Sequence, residues 1–225
     1  MKVAIISDLH SNREALEAVF EHIQGQGVET IYCLGDVVGY GPEPEFCVDL
    51  VRGHAEVCLM GNHDEALFHD AIDFNPHARG AVTYTQRRMR PHWYSSSDKK
   101  ARWKWLQDLP LTHREGRFLF VHGSPRDPVR EYVLPTDGFL VPDKLRQIFE
   151  SFEGVAVGGH THHPGLHDET LVFHGLDGQE SCTMELPEGE RFFINVGSVG
   201  QPRDGDPRAA WAILTARCLH PSPSS

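Results

Sequence analysis

The sequence is poor in cysteine, in basic residues and in long apolar runs. Its five cysteines include no Cys-x-x-Cys pair, and Cys33 and Cys58 fall inside apolar stretches. This usage indicates reduced core residues rather than a disulfide framework. The apolar run at residues 3–6 is far too short for a signal peptide or a membrane span. We therefore expect a cytoplasmic protein that does not enter a membrane.

Basic residues are outnumbered by acidic ones. The chain has 21 Lys and Arg against 32 Asp and Glu, which gives a formal net charge of -11. Nucleic-acid binding depends on basic side chains that displace counterions from phosphates, so a polynucleotide is an unlikely partner. A local basic groove from Arg87, Arg88 and Arg90 is the alternative, but the solvated face of a helix explains these arginines more simply. An anionic substrate would need local positive charge, which bound metal ions could supply.

The first part of the chain alternates strand and helix patterns. Residues 3–7 predict a buried strand, and Ser11-Asn12-Arg13-Glu14 has the form of a capping box that opens a helix. Residues 31–34 predict the next strand, and a helix over residues 44–52 leads to a third strand at 57–60. Such crossovers predict parallel pairing of the strands.

The second part of the chain is richer in strands. Residues 75–109 have a mainly helical pattern, and strands are predicted at 118–121, 155–157, 171–174, 191–195 and 210–214. Alternating elements early and clustered strands later indicate two sheets packed together with helices outside. We expect one domain over residues 1–216, with a frayed tail at 217–225.

Metal-binding side chains recur just past the ends of the predicted strands. Open α/β sheets place their binding crevices at that end, so separate segments can converge on one site. Seven residues follow this pattern: Asp8, His10, Asp36, Asn62, His122, His160 and His162. Any one of them alone could simply start a turn. Their joint recurrence predicts a metal site.

Local spacing supports this prediction. Asp8 and His10, like His160 and His162, are two residues apart and point the same way if the backbone is extended. Glycines precede the polar groups at positions 35, 61 and 159, and glycine permits the close backbone approach that a crowded metal site needs. Each pair could therefore contribute to one metal cluster.

Five segments resemble the motif set of calcineurin-like metallophosphoesterases in order and approximate spacing: Asp8-Leu9-His10, Gly35-Asp36, Gly61-Asn62-His63-Asp64, Val121-His122-Gly123 and Gly159-His160-Thr161-His162. The resemblance implies an α/β fold, a four-layer αββα sandwich of two mixed β-sheets flanked by helices. Within the single domain, residues 64–109 would be a candidate helical cap insertion.

The resemblance also implies two divalent metal ions, with manganese, iron or zinc suited to imidazole and carboxylate ligands. One would take Asp8, His10, Asp36 and His162, and the other Asp36, Asn62, His122 and His160. A hydroxide bridging the two ions would attack phosphorus in line. By the same resemblance, His63 would hydrogen-bond the phosphoryl group or protonate the leaving oxygen, although a supporting role beside the ligands is the alternative.

One position departs from a subgroup of this family. Ser/Thr protein phosphatases carry an arginine shortly after the Gly-Asp motif, and Tyr40 stands there instead. The Pro-Arg-Asp segments at Arg126 and Arg203 could present arginines that bind a second phosphate, although surface turns are the alternative. We count Arg126, Arg203 and Tyr40 as candidate substrate-binding residues.

The sequence favours a metal-dependent phosphatase or phosphodiesterase acting on a small phosphoester, a phosphodiester or a nucleotide polyphosphate. The alternatives are a binding scaffold with this fold that has lost catalysis, and a protein Ser/Thr phosphatase. The scaffold is disfavoured because every motif residue is present, and the protein phosphatase because of Tyr40.

Overall fold

The computed structural model describes residues 2–69, 74–176 and 178–215, and the predicted tail lies outside these residues. The first half contains most of the helices. Its elements are β1 (Lys2–Ile6), α1 (Arg13–Gly25), β2 (Thr30–Cys33), α2 (Pro44–His54), β3 (Val57–Cys58), α3 (Asn62–Glu65), α4 (Pro76–Met89) and α5 (Ser97–Gln107). The remaining elements are β4 (Thr112–Glu115), β5 (Phe118–Val121), α6 (Asp137–Leu140), α7 (Pro142–Glu150), β6 (Val155–Gly158), β7 (Gly165–Asp168), β8 (Phe173–Gly175), β9 (Phe192–Asn195) and β10 (Ala212–Thr215).

The strands form two mixed sheets. One has four strands in the order β10-β1-β2-β3, and the other has six in the order β4-β5-β6-β9-β7-β8. As predicted, β1, β2 and β3 are parallel. In the second sheet β5, β6 and β9 are also parallel. The carboxyl ends of three neighbouring strands therefore lie together in each sheet.

The two sheets pack face to face, and helices cover their outer faces. Alternate residues of β1 show this: Val3 and Ile5 join the core between the sheets, whereas Ala4 and Ile6 face helices. In β6, the side chain of Ala156 packs with α7 on the outer face. Both faces of these strands are buried, which explains their continuous apolar sequences. The predicted αββα architecture is confirmed.

Local predictions need two corrections. Helix α1 is capped by Asn12, whose side chain accepts a hydrogen bond from the backbone N–H of Ala15. Ser11 has a left-handed backbone (φ 56°) and does not cap, so the capping box assigned to it is wrong. Strands β4 and β7 and helix α7 are absent from the predicted pattern. Strand β4 is short and polar, and it acquires its conformation by pairing with β5.

The helices at residues 76–107 pack on the four-stranded sheet. Both α4 and α5 contact α2, and Val82, Met89 and Leu106 belong to the core on that side. The start of α4 also reaches the candidate active site, where Asn75 and Ala78 line a pocket. A substrate-selecting role for residues 64–109 remains a prediction. In the part of the chain that is described, no helix has the length and apolarity needed to span a membrane.

Candidate metal centre and active site

All seven predicted ligands meet where the carboxyl ends of the two sets of parallel strands face each other. Three segments come from the four-stranded sheet, after β1, β2 and β3, and two from the six-stranded sheet, after β5 and β6. This is the edge at which α/β sheets bind ligands. The described residues form three groups that could each hold a metal ion: Asp8 with His10 and His162, Asp36 with His122 and His160, and His10 with Asp36 and His63. The first two groups contain six of the seven predicted ligands.

Short distances link the first group to the second. The Nε2 atom of His162 lies 3.1 Å from Asp8 Oδ1, and His10 Nε2 lies 3.1 Å from His162 Nε2. Asp36 Oδ2 lies 3.7 Å from His10 Nε2 and 3.5 Å from His122 Nε2. Asp36 therefore stands between the two groups, the position that a bridging carboxylate requires.

Asn62 joins the second group through its amide. Its Oδ1 atom lies 3.2 Å from His122 Nε2, and it is the first residue of α3. The glycines before these ligands are needed for close approach: a Cβ on Gly61 would lie 2.1 Å from Asp36 Oδ1, and one on Gly159 would lie 2.4 Å from Asp8 Oδ2. Larger residues there would push the carboxylates away.

The backbone at the predicted ligands is strained. Five of the seven have a left-handed conformation, with φ between 50° and 67°: Asp8, His10, Asp36, His160 and His162. Non-glycine residues rarely adopt it, and such residues cluster at functional sites. The spacing of the paired ligands suggested an extended backbone, and this expectation is wrong. The pairs lie in tight turns after the strands.

The charges and donors of the cluster fit bound cations. Burial, followed by the negative charges of Asp8 and Asp64, raises the pKa of Asp36 well above its ordinary value. A bound cation would favour the ionised form of Asp36 beside these negative charges at neutral pH. Among the described residues, Asp8 Oδ1 accepts no hydrogen bond of good geometry, although His162 Nε2 lies 3.1 Å away. Burial lowers the pKa of His122 to about 3 and that of His160 to about 4, so both imidazoles are neutral, as metal ligands must be.

Backbone carbonyls orient the histidine rings. Nδ1 of His10 donates to the backbone carbonyl oxygen of Val38 at 3.3 Å. Nδ1 of His122 donates to that of Leu34 at 3.0 Å. Nε2 of His160 donates in the same way to the carbonyl of Arg130 at 3.1 Å. Such partners fix the tautomer and would aim the other nitrogen at a bound metal.

His63 lies beside the cluster rather than in the predicted ligand set. Its ring contacts those of His10, Tyr40 and Phe74, and Nδ1 is buried with no hydrogen-bond partner in the described structure. Burial lowers its pKa to about 3. Asp64 does not orient His63. Its carboxylate instead accepts hydrogen bonds from the backbone N–H groups of Val37, Val38 and Gly61.

Two of the three candidate substrate-binding residues lie in the pocket at the site, and the third does not. Tyr40 and Arg203 line a pocket of about 190 Å³ together with Asp36, His63 and His160. Arg126 does not line it, because its guanidinium binds the carboxylate of Glu131 and the amide oxygen of Gln147 (2.6 Å). A larger cavity of about 550 Å³, lined by residues such as Phe68, Gln86 and Trp103, contains none of the predicted ligands.

Sequence reasoning named Arg203 in the segment after β9 but missed Tyr132, Arg130 and Asn195. Asn195, the last residue of β9, donates to the carbonyl oxygen of Gly159 at 2.5 Å and to Thr161 Oγ1 at 2.7 Å, which fixes the turn that carries His160. The other segments were found because a polar residue stands at the end of a strand. Asn195 has the same position in β9, so this signal could have found it. For Tyr132, 45% exposed and in a loop, we find no such signal.

Comparison with known proteins agrees with the fold. Residues 1–217 match the family model of the calcineurin-like phosphoesterase superfamily domain. The chain is 36% identical over 221 residues to an uncharacterised protein of Methanocaldococcus jannaschii, covering 94% of this chain and 82% of the relative. A metallophosphoesterase from Sphaerobacter thermophilus has a similar crystal structure, with a TM-score of 0.77 and 36% identity over 96% of this chain and 84% of that one.

A more distant structure, from Pyrococcus horikoshii, shares the fold with a TM-score of 0.69 at 19% identity, covering 97% of this chain and 85% of that one. The chain belongs to the calcineurin-like phosphoesterase superfamily. Membership and the histidine and aspartate groups together support a metal-dependent phosphoesterase in general terms.

Proposed function

We propose that this chain hydrolyses small phosphoesters and uses two divalent metal ions. The observation that carries the proposal is the position of Asp36, whose carboxylate lies between two groups of buried ligands. One ion would be held by Asp8, His10, Asp36 and His162, and the other by Asp36, Asn62, His122 and His160. When bound, such ions activate water as a nucleophile near neutral pH and offset charge on phosphoryl oxygens.

The chain's own residues have distinct tasks in this proposal. His63 is the catalytic residue: its neutral imidazole carries one N–H, which hydrogen-bonds the phosphoryl or leaving oxygen. Arg203 and Tyr40 bind the substrate from the wall of the pocket. We leave Arg126 out of this set because its guanidinium is occupied outside the pocket.

The proposed substrate is a small phosphorylated molecule or nucleotide of the cytoplasm. The pocket of about 190 Å³ beside the candidate ligands would receive the phosphoryl group of such a molecule. The net charge of -11 does not favour a polynucleotide.

The test combines metal content with turnover. Metal-stripped protein would be reloaded with manganese, iron or zinc, and metal measured by mass spectrometry beside hydrolysis of p-nitrophenyl phosphate, bis-p-nitrophenyl phosphate and dinucleoside polyphosphates. We expect Asp36→Asn to lose bound metal and turnover. His63→Ala should keep the metal and lose turnover by about 10²- to 10⁴-fold. The matched controls are Asp108→Asn and His92→Ala, both exposed and outside the pocket.

The opposite results are equally clear. Protein that binds no metal and hydrolyses nothing would favour the non-catalytic scaffold. Turnover unaffected by Asp36→Asn would contradict the shared carboxylate. Hydrolysis of phosphoproteins in preference to every small substrate would instead support a protein Ser/Thr phosphatase.

A further inference from the structure

Three polar side chains from separate segments surround the mouth of the candidate active site. Tyr40 follows β2, Tyr132 follows β5 and Arg203 follows β9, and all three line the pocket that also contains His63 and His160. None of the three belongs to a group of candidate metal ligands. They therefore face the place where a substrate phosphoryl group would project from the metals.

Arg203 is free to bind an anion. The neighbouring arginines are neutralised by carboxylates, Arg126 by Glu131 and Arg130 by Glu65. No described carboxylate forms such a pair with Arg203, which donates to the neutral amide oxygen of Gln201 at 2.6 Å. A guanidinium without a carboxylate partner, at the mouth of a pocket, is a site for phosphate oxygens.

The loop that carries Arg203 is fixed to the metal ligands. Ser198 Oγ donates to the backbone oxygen of Asp8 at 2.8 Å and accepts from the backbone N–H of Gln201 at 2.8 Å. The backbone N–H of Arg203 donates to the oxygen of His162 at 3.4 Å. The position of the guanidinium is thus set by the same frame that positions Asp8 and His162.

The two tyrosines are fixed by ring contacts with site histidines. The ring of Tyr132 lies 3.8 Å from that of His160 between centroids, and the ring of Tyr40 lies 4.6 Å from that of His63. Arg203 lines the same pocket as both rings. Burial raises the pKa of both phenols. Both hydroxyls stay protonated at neutral pH and can donate.

We propose that Arg203 and the hydroxyls of Tyr40 and Tyr132 form a clamp for a terminal, unesterified phosphoryl group, so that the enzyme prefers phosphomonoesters to phosphodiesters. The inference rests on the proposed hydrolase function. A monoester presents an additional charged oxygen to these donors. A diester places an esterified oxygen there, which accepts weakly and brings a substituent into a pocket of about 190 Å³.

Direct binding tests the clamp without turnover. Metal-loaded protein would be titrated calorimetrically with inorganic phosphate and with dimethyl phosphate. In Arg203→Met we expect the affinity for inorganic phosphate to fall about 10- to 100-fold and that for dimethyl phosphate to change less than about threefold. Tyr132→Phe should weaken phosphate about two- to tenfold. Arg146→Met, on an exposed surface pair with Asp143, is the matched control and should change neither.

Kinetics give the second readout. Wild-type protein should have a higher kcat/KM for p-nitrophenyl phosphate than for the bis ester, and Arg203→Met should reduce this ratio at least tenfold. Arg203→Lys keeps the positive charge but loses the bidentate guanidinium, so it should retain only part of the wild-type preference for the monoester. Equal losses on both probes, or a wild-type preference for the diester, would overturn the clamp. If metal-loaded wild-type protein hydrolysed neither probe, this result would contradict the proposed function instead.

Discussion

At the scale of single residues, Gly39 sets the position of the proposed catalytic histidine. Its backbone has φ 102°, and a Cβ placed on it would lie 2.5 Å from His63 Nδ1. That conformation is open to glycine and strained for other residues. The glycine therefore allows the His63 ring to lie directly against the turn after β2.

We expect Gly39→Ala to impair catalysis without emptying the metal site. The added methyl group must displace His63, so kcat should fall at least about tenfold, and the backbone strain should cost about 1–3 kcal/mol of stability. Steady-state kinetics, metal content and urea unfolding would measure the three quantities. Gly53→Ala is the control: Gly53 lies in α2 with open space around it, and alanine there should stabilise by about 0.5–1 kcal/mol. Full kcat in Gly39→Ala would remove the positioning argument for His63.

At the scale of elements, helices α2, α4 and α5 form one packed layer beside the four-stranded sheet. Leu106 of α5 is fully buried in the core on that side. Ion pairs also link the helices, Arg88 of α4 to Glu45 and Arg102 of α5 to Asp49. The apolar contacts contribute more to the stability of the protein than the exposed ion pairs, because solvent screens the charges.

Leu106→Ala should destabilise the protein by about 2–5 kcal/mol, because a large side chain is lost from a closed core. Arg88→Ala should change stability by no more than about 1 kcal/mol, since 45% of its side chain is exposed. Urea unfolding of both variants beside the wild type gives the comparison. A larger effect from Arg88→Ala would show that ion pairs, rather than packing, hold α4 to α2.

At the scale of the whole molecule, the candidate metal site joins the two sheets. Its ligands come from both, and the turns that carry them have strained backbones. Metal bound there would stabilise only the folded chain, because the unfolded chain does not hold the ligands together.

Chelation should therefore lower the melting temperature. Metal at about one hundred times its dissociation constant stabilises by about 2.7 kcal/mol, which corresponds to roughly 5–10 °C for a chain of this size. Calorimetric scans before and after chelation, and after metal is restored, would measure the shift. Asp36→Asn should show little response to the chelator. An unchanged melting temperature in wild-type protein shown to lose metal would contradict the link between metal and fold.

The sequence by itself determined the fold class and the identity of the candidate ligands. Continuous apolar runs in the β1 and β6 segments indicate strands that are buried on both faces. Polar residues after strands mark Asp8, Asp36 and His122 as neighbours, because parallel strands end at one edge. Local pattern also located α1, although its cap lies at Asn12 rather than Ser11.

Only the tertiary structure decided the rest. The left-handed turns at the ligands are imposed by contacts between segments far apart in sequence, and local propensity opposes them. Two Pro-Arg-Asp segments look alike in sequence, but Arg126 meets Glu131 whereas Arg203 faces the pocket. Tyr132 enters the site because its loop lies across His160. Contacts of this kind depend on how the two sheets meet, and no local spacing encodes that.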